Sequence, residues 1–234
     1  MMKMSVIIPT WNEAENIKEL IPYLKKYGGE FISEIIVADG GSSDDTCQLA
    51  AGLGAIVLRS KVKSRAHQLN LGASQAKANT LYFVHADTRP VQSFAEDLQI
   101  AVVKGYKAGC FRYRFDSDTF LLKVNSWFTR FNGLFSGGGD QTLFISRDFF
   151  NTLGGYDTKY CLMEDFELVK RIKRRTKFYI VPKTMTVSAR KYRDNSWLRV
   201  QVVNLYVFVM FHLGMAPEKL KKSYSTLLSN GSSS

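Results

Sequence analysis

Short apolar runs alternate with amphipathic segments through the first hundred or so residues of the chain. Between the first two runs, Ile17, Leu20, Ile21 and Leu24 recur at helical spacing. Strands that alternate with helices pair in parallel through right-handed crossovers. The pattern therefore predicts an α/β fold with a doubly wound, mostly parallel central sheet flanked by helices. The predicted strands lie in MSVIIPT (4–10), SEIIVADGG (33–41), AIVLRS (55–60) and TLYFVHAD (80–87).

The alternation weakens in the second half of the chain. A strand-like CFRYRF at 110–115 precedes an aromatic segment with helical character, a glycine-rich loop and a short strand. EDFELVKRIKRR then predicts a helix opened by acids, and KFYIVPKTMTVS predicts late strands. We expect one domain over residues 1–193, a C-terminal helical extension over 194–228 and a disordered tail over 229–234.

The most apolar stretch is WLRVQVVNLYVFVMFHLGM, close to the C-terminus. Arg199, Gln201 and Asn204 interrupt it, and its continuous apolar run is shorter than the ~20 residues that a membrane-spanning helix needs. We therefore do not expect it to cross a bilayer. We expect this helix to pack on the core or to form a homodimer, slightly in preference to lying on a membrane surface.

Composition limits the classes of binding partner and the cellular compartment that we expect. A formal net charge of +11 predicts an anionic partner, but the chain lacks the aromatic and glycine pattern of RNA-binding sheets and any helix-turn-helix pattern. Nucleic acid is therefore not expected. Three scattered cysteines are too few for a disulfide framework, and the N-terminus lacks the pattern of a signal peptide. We expect a cytoplasmic protein. The alternative is peripheral contact at the inner face of the membrane.

The most informative segment is LYFVHADTRP, where an apolar run ends directly in His85, Asp87 and Thr88. In an open α/β sheet, ligands bind outside the carboxyl ends of the strands. A divalent cation that is shared with a diphosphate takes only a few oxygen ligands from the protein. Asp87 could equally cap a turn before Pro90. Neither a dinucleotide-binding GxGxxG nor a P-loop follows the first strand.

Further motifs resemble those of family-2 glycosyltransferases, enzymes with the GT-A fold that use nucleotide-activated sugars. SVIIPTWNEAENI is similar to the opening strand and turn of that family, EIIVADGGSSDDT to its second strand, and HADT to its aspartate–any–aspartate metal motif. GGYDTKY and then MEDFEL follow in the expected order, so the resemblance spans residues 4–168. In finer detail, SRAHQLNLGA and GGGDQ resemble a small bacterial subgroup associated with arsenosugar biosynthesis.

The resemblance implies a nucleotide-sugar donor, for which we expect a UDP-linked sugar, and a divalent metal, Mn²⁺ or Mg²⁺. It implies that the Asp39 carboxylate hydrogen-bonds the base and that Asp87 holds the metal at the diphosphate. His85 replaces the first acid of the metal motif, and imidazole suits Mn²⁺ better than Mg²⁺. His85 is therefore either a second metal ligand or a neighbour of the ligand. The other residues implied for the donor pocket are Pro9, Thr10, Asn12 and Glu13. Lys63 and Arg65, before the third helix, are cations that could meet the phosphate or could equally be ordinary surface charges.

For the acceptor side, the resemblance assigns the general base to Asp165, with Glu164 positioning the acceptor or the base. Attack from the face opposite the nucleotide would invert the anomeric carbon. Negative side chains also stabilise a helix start, so capping explains the same two acids. The residues predicted to contact the acceptor, the sugar or the diphosphate are Gly138, Gly139, Asp140, Gln141, Arg190 and Lys191. An ordinary glycine turn and a basic surface explain the same two segments.

Two other functions remain open at this point. A nucleotidyltransferase shares the topology and the metal carboxylates, although PTWNE lacks the phosphate loop that would favour it. A basic module that binds an anionic ligand without turnover would also fit, since His85 departs from the metal motif. The favoured function is transfer of a sugar from a nucleotide-diphosphate donor to a hydroxyl acceptor, with inversion.

Overall fold

A computed structural model of the chain describes residues 1–117, 119, 122–123, 126–127, 133, 136–139, 141–189 and 197–229. Eight strands form a single sheet. The strands are β1 (Met4–Thr10), β2 (Ile32–Asp39), β3 (Ile56–Arg59), β4 (Thr80–Phe83), β5 (Thr88–Arg89), β6 (Ala108–Phe115), β7 (Leu143–Ser146) and β8 (Phe178–Val187). The helices are α1 (Ala14–Gly28), α2 (Thr46–Gly52), α3 (Arg65–Gln75), α4 (Phe94–Val103), α5 (Arg147–Thr152), α6 (Glu164–Arg175), α7 (Trp197–His212) and α8 (Pro217–Ser229).

The sheet runs in the order β3-β2-β1-β4-β7-β6-β8-β5. Strands β3, β2, β1 and β4 pair in parallel, as the alternating pattern predicts. Strand β7 then inserts antiparallel between β4 and β6, and β5 pairs antiparallel with β8. Since β6 and β8 point the same way as β4, six of the eight strands end at one edge of the sheet. This edge carries the candidate chemistry.

Apolar side chains pack on both faces of the sheet. One buried cluster joins α1 and α4 to the sheet through residues such as Leu20, Leu24 and Phe94. The other joins α3 and α6 to the opposite face through Leu69 and Leu168. Helices on both faces of a mostly parallel sheet confirm the predicted α/β fold.

The second half differs from the sequence expectation in two details. KFYIVPKTMTVS forms one strand, β8, rather than several. Its register against β6 shifts between Phe111 and Arg112, beside Pro182, which has no N–H to donate to a ladder. The aromatic segment at 120–135 falls mostly outside the described residues.

Helices α7 and α8 pack beside the start of α6. Val203, Val207 and Phe211 form a buried cluster with Leu220. The Phe208 ring makes an edge contact with Phe166 at 5.4 Å between centroids. In the part of the chain that the structure describes, no helix is both long and apolar enough to span a membrane. The C-terminal helices therefore support the helix that carries the predicted base.

Candidate active site

The loops after β1 and β2 are joined by hydrogen bonds. Ser43 N–H donates to Asn12 Oδ1 at 2.8 Å, and Asn12 N–H donates to Ser42 Oγ at 2.8 Å. Asn12 has a left-handed backbone (φ 54°), which asparagine tolerates better than most residues. Helix α1 begins at Ala14, so Glu13 and not Asn12 is the residue directly before it. The Asn12 side chain therefore ties two loops together rather than capping α1.

Asp39 organises the loop after β2. The side chain is buried (1% exposed), and both of its oxygens accept hydrogen bonds. Oδ1 accepts from the N–H groups of Gly41 and Ser42 at 2.9 Å each, while Oδ2 accepts from the hydroxyls of Thr10 and Ser42. Burial raises the pKa of Asp39, but the hydrogen bonds from Ser42, Gly41 and Thr10 outweigh it, so the pKa lies below the ordinary value. The carboxylate is therefore ionised and already engaged by its own loop.

Gln68 holds the ends of β1 and β2 at a fixed spacing. Its Nε2 donates to the carbonyl of Thr10 at 2.7 Å and to that of Ala38 at 2.8 Å. A Cβ on Gly40 would lie only 3.1 Å from this Nε2. The sequence signal for this role was weak, since a glutamine on an amphipathic helix usually faces solvent.

Trp11 and Lys63 form an exposed pair beside these loops. The Lys63 Nζ lies 3.1 Å from the centroid of the Trp11 ring, which is the geometry of a cation–π contact. Trp11 is 49% exposed. An exposed aromatic face next to Thr10 is a surface on which a planar base can stack, and the sequence analysis did not single it out.

Arg65 faces the predicted catalytic acids. Its Nη1 lies 3.3 Å from Glu164 Oε1 and 3.5 Å from Asp165 Oδ2. Glu164 is buried, whereas Arg65 is about half exposed. A buried carboxylate needs such a partner, because an unpaired charge in the interior is costly. The predicted phosphate cation and the predicted acids thus lie in one cluster, although a hundred residues separate Arg65 from Asp165 in the sequence.

His85 and Asp87 lie just beyond the end of β4. Thr88 N–H donates to the His85 carbonyl at 3.1 Å, and the buried Thr88 Oγ1 has no hydrogen-bond partner among the described residues. No group of three or more His, Cys, Asp or Glu side chains in the described ranges could enclose a metal ion. One carboxylate and one imidazole nevertheless fit a cation whose other ligands are phosphate oxygens and waters. The donor set fits Mn²⁺ better than Mg²⁺ because of the imidazole.

Helix α6 presents Glu164 and Asp165 at its first turn. Met163, the residue before the helix, has a left-handed backbone (φ 70°), which is unusual for a bulky side chain. Glu167 in the same turn pairs instead with Arg171. Arg171 also donates to the carbonyls of Leu153 at 2.6 Å and Gly155 at 2.7 Å. Only the first two acids of the helix therefore face the site.

Asn70 on α3 holds the turn that leads to these acids. Its Nδ2 donates to the Tyr156 carbonyl at 2.8 Å, and Tyr156 N–H donates to its Oδ1 at 2.9 Å. Burial raises the pKa of the Tyr156 hydroxyl well above its usual value, and the charges of Asp165 and Glu164 add to this effect. Tyr156 therefore remains a protonated hydroxyl. Sequence reasoning missed Asn70, since a polar residue on a helix surface carries no local signal for a contact 86 residues away.

A small cleft joins these elements. Pro9 from β1, His85 from the end of β4, Asp165 from α6 and the Tyr156 side chain all line it. Gly137 and Gln141 form another part of its wall. The ends of β1 and β4 and the start of α6 thus meet at one cleft, and Asp39 at the end of β2 is joined to the end of β1 through Thr10.

The glycine-rich loop makes more internal hydrogen bonds and packing contacts than its sequence suggests. Gly137 N–H donates to Gln141 Oε1 at 2.6 Å, and Gln141 Nε2 donates to the Phe111 carbonyl at 2.8 Å. A Cβ on Gly138 would lie 2.7 Å from the Phe166 ring. The buried Gln141 amide is thus used by the protein itself, which argues against the predicted direct contact with acceptor hydroxyls. Gly139 adopts a left-handed turn (φ 71°), and Asp140, Arg190 and Lys191 lie outside the described residues.

Comparison with known proteins adds the family. The profile described as glycosyl transferase family 2 matches residues 5–162. A dolichol-phosphate mannosyltransferase of Pyrococcus furiosus is 33% identical over a segment that covers 37% of this chain and 26% of that protein. The match thus spans about a quarter of the length of that relative.

Solved structures show the same fold. A mannosyltransferase of Pyrobaculum calidifontis, solved in complex with GDP-Man and Mn²⁺, superposes with a TM-score of 0.68 at 19% identity, covering 96% of this chain and 68% of that chain. Glucosyl-3-phosphoglycerate synthase of Mycobacterium tuberculosis, with Mn²⁺, UDP and phosphoglyceric acid, superposes with a TM-score of 0.64 at 18% identity, covering 91% and 79%. The sheet and its helices have the GT-A fold. With the profile match over most of its length, the chain belongs to glycosyl transferase family 2.

Proposed function

We propose that the protein is an inverting glycosyltransferase that moves a sugar from a nucleotide-diphosphate donor to a hydroxyl acceptor. The observation that carries the proposal is the cleft shared by Pro9, His85 and Asp165. It brings a residue from the predicted nucleotide pocket, one from the predicted metal site and the predicted base to one surface. Such convergence at the carboxyl ends of the strands is what group transfer between two substrates requires.

The donor pocket comprises the joined loops after β1 and β2. Pro9, Thr10, Asn12 and Glu13 would surround the nucleoside, and the base would stack on the exposed face of Trp11. Since four hydrogen bonds already reach the Asp39 carboxylate, contact with the base would require one of them to be shared or broken. We propose a UDP-linked sugar as the donor. A GDP-linked sugar is the first comparison to make, because the Pyrobaculum calidifontis enzyme was solved with GDP-Man.

Asp87, with His85 beside it, would hold the divalent metal. When bound, the metal would supply positive charge to the leaving diphosphate. Lys63 and Arg65, on the loop before α3 and at its start, would add cationic charge on the same side. We expect Mn²⁺ to be preferred over Mg²⁺ because His85 offers nitrogen instead of oxygen.

Asp165 would act as the general base. It takes the proton of the acceptor hydroxyl while the hydroxyl oxygen bonds to the anomeric carbon. The bond from that carbon to the diphosphate oxygen breaks on the opposite face, and the diphosphate leaves with the electron pair. Glu164, buried and paired with Arg65, would position Asp165 and the acceptor.

Arg65 connects the two halves of this reaction. With its guanidinium against Glu164 and Asp165, it offsets part of the negative charge of the two acids when no donor is bound. A donor diphosphate would compete for the same guanidinium, and its arrival would leave Asp165 available to a proton. This order favours donor binding before acceptor binding.

The acceptor side is proposed from the glycine-rich loop and from the segment after β8. Gly138 and Gly139 would contact the acceptor through their backbone, and Gln141 would fix the loop by its hydrogen bonds to Gly137 and Phe111. Asp140, Arg190 and Lys191 remain predicted contacts to the sugar, the acceptor or the diphosphate.

A panel of nucleotide sugars tests the function. The protein is incubated with UDP-linked and GDP-linked hexoses and Mn²⁺, and nucleotide release is measured with and without candidate acceptors. We expect release of one nucleotide diphosphate above the others, and a product of inverted anomeric configuration by NMR. Release of pyrophosphate would instead indicate a nucleotidyltransferase. Binding of a nucleotide diphosphate without any turnover would indicate a non-catalytic module.

The oligomeric state, the membrane contact, the location and the pathway of the enzyme are also proposals. The outer side of α7 exposes Leu198, Val202, Leu205 and Val209, a stripe that could meet a second copy or an anionic membrane surface. Light scattering and sedimentation with anionic vesicles distinguish the two. A cytoplasmic location and a role in arsenosugar biosynthesis remain predictions, tested by fractionation and by arsenic speciation in a deletion strain.

A further inference from the structure

A second, larger groove lies between the end of β6 and the residues that follow it. It has a volume of about 530 Å³, within the range of small-molecule sites. Arg112 and Arg114 of β6 line it, and so do their register partners on β8, Thr184 and Thr186. Lys123, Ser126 and Trp127 also line it.

The groove lies next to the candidate active site across the sheet. The β4–β7 pairing aligns Phe83 with Leu143, and the β6–β7 pairing aligns Gly109 with Phe144. Gln141, just before β7, lines the cleft, and its Nε2 donates to the carbonyl of Phe111, the residue before Arg112. At about 4.8 Å between neighbouring strands, the two strands that flank β7 are roughly 10 Å apart. A molecule of sugar size can span this separation.

The described residues of the groove favour an anion. Two arginines of β6, Arg112 and Arg114, line it, and Asp116 is the carboxylate among the described residues that line it. Asp116 already accepts a hydrogen bond from the Ala189 N–H at 2.6 Å. Within the described residues, neither Arg112 nor Arg114 forms an ion pair with an acid.

Arg112 shows this preference most clearly. Its Nε is buried and has no hydrogen-bond partner in the described part of the chain. A buried guanidinium N–H without an acceptor is costly, and the planar arginine fork matches phosphate and carboxylate oxygens. Arg114 lies two residues further along the same face of β6, so both forks reach one side of the sheet. Trp127, 46% exposed, offers an aromatic face beside them.

We propose that this groove binds an oxyanion, a phosphate or carboxylate, on the acceptor molecule. The acceptor would place its hydroxyl at Asp165 and its anionic group between Arg112 and Arg114. This inference rests on the proposed glycosyltransferase function and adds the chemical class of the acceptor to it. The same oxyanion could belong to a soluble molecule or to a lipid headgroup.

Paired probes that differ only in charge test the proposal. Glycerol 3-phosphate is compared with glycerol, and glucuronate with glucose, by calorimetric binding to the full chain in the presence of the nucleotide diphosphate and Mn²⁺. We expect the charged member of each pair to bind at least about tenfold more tightly, because charge-assisted hydrogen bonds to arginine are strong. Vesicles that contain phosphatidylglycerol present the same glycerol phosphate on a lipid, so preference between these two probes identifies the source.

The variant R112Q/R114Q should lose this preference while its affinity for the nucleotide diphosphate stays unchanged. R112K/R114K keeps the charge and should retain part of the preference, which controls for misfolding. R174Q removes a guanidinium from the exposed side of α6 and should behave as the wild type. Equal binding of charged and neutral probes, or an intact preference in R112Q/R114Q, would overturn the proposal. If the nucleotide diphosphate itself fails to bind, the proposed function fails instead, so the two failures are distinguishable.

Discussion

The donor loops after β1 and β2 and the groove at β6 are built differently. On the donor side, short polar side chains from two loops bond to one another: Asn12 to Ser43, and Asp39 to the turn at Gly41 and Ser42. On the acceptor side, the groove at β6 presents long cationic side chains, two of which find no acidic partner among the described residues. The donor side satisfies its polar groups internally, whereas the acceptor side leaves charge for a ligand.

This difference indicates how the two substrates are recognised. A pocket held by its own hydrogen bonds is already shaped before the ligand arrives, so little ordering cost opposes binding. Arg112 and Arg114 pair with no acid among the described residues, so an anion that enters the groove would supply their charge-assisted hydrogen bonds. Between them, Arg65 pairs with Glu164 and Asp165 and so couples the state of one side to the other. Variants that affect one side should therefore have distinct kinetic signatures.

The largest expected effect is on the acceptor side, at Asp165. Asp165→Asn removes the proposed base, so kcat should fall by about 10²–10⁴-fold. Affinity for the nucleotide diphosphate should stay within error of the wild type, because the donor loops are untouched. Steady-state kinetics and calorimetry measure the two quantities. Asp148→Asn, an exposed acid on α5, is the matched control and should change neither.

On the donor side, Asp39→Asn should weaken nucleotide binding by about 10–100-fold. The NH₂ of the new amide would face donors that now reach the carboxylate, and the hydrogen bonds lost there would cost about 1–3 kcal/mol. At saturating donor, kcat should change much less. Asp45→Asn makes the same chemical change at an exposed acid of the same loop and is the control. A loss confined to kcat with unchanged affinity would contradict the division between the two sides.

Asn70→Ala should affect the acceptor side through position alone. Tyr156 would lose both backbone hydrogen bonds, so stability should fall by about 1–3 kcal/mol and kcat several-fold as Asp165 is displaced. Thermal unfolding and kinetics are compared with Asn151→Ala, an exposed asparagine on α5. If Asn70→Ala lowers nucleotide affinity more than kcat, the turn serves the donor side instead.

The depressed pKa of Asp39 predicts how the donor side responds to acid. A carboxyl group whose pKa is lowered in the folded state stabilises the fold fully above its unfolded pKa of 3.8, and this stabilisation is lost as pH falls through the lower folded pKa. The wild type should therefore lose more stability than Asp39→Asn between neutral pH and about pH 3. Urea unfolding across this range measures the difference. Parallel curves for the two proteins would contradict it.

The smallest expected effect concerns His85, at the boundary of the two sides. His85→Asp restores two carboxylates and should shift the activity ratio from Mn²⁺ towards Mg²⁺ by a few-fold, since Mg²⁺ prefers oxygen ligands. Activity with each metal over a concentration series measures the ratio. His85→Gln, which loses the imidazole without adding a charge, separates ligand type from charge. An unchanged ratio in His85→Asp would place His85 outside the metal site.

The sequence predicts the parallel strands of the fold better than it predicts the antiparallel strand and the long-range polar contacts. The alternation of apolar runs and helical segments predicts β1 to β4 and their order in parallel, because each strand and its crossover are local in the chain. The antiparallel insertion of β7 beside β4 is not local and leaves no periodic signal. The contacts of Gln68, Asn70 and Gln141 were missed for the same reason. Gln68 and Gln141 are buried and Asn70 is half-buried, and each has a partner that lies 30 residues or more away.

The pairing of Arg65 with Asp165 is a further example. Each residue was singled out by its motif, but only the packing of α3 beside α6 brings them within 3.5 Å. The groove at Arg112 and Arg114 was overlooked because CFRYRF has the pattern of an ordinary strand with one polar face.

The central claim is that the nucleotide diphosphate binds at Asp87, just beyond β4, and that Asp165 performs catalysis at the cleft lined by His85. It is tested most directly by calorimetric titration of the nucleotide diphosphate, with Mn²⁺, into the wild type, Asp87→Ala and Asp165→Asn. The account predicts Mn²⁺-dependent binding in the wild type, the same affinity in Asp165→Asn and a loss of at least about tenfold in Asp87→Ala. Equal affinity in all three proteins, or binding that ignores Mn²⁺, would contradict it.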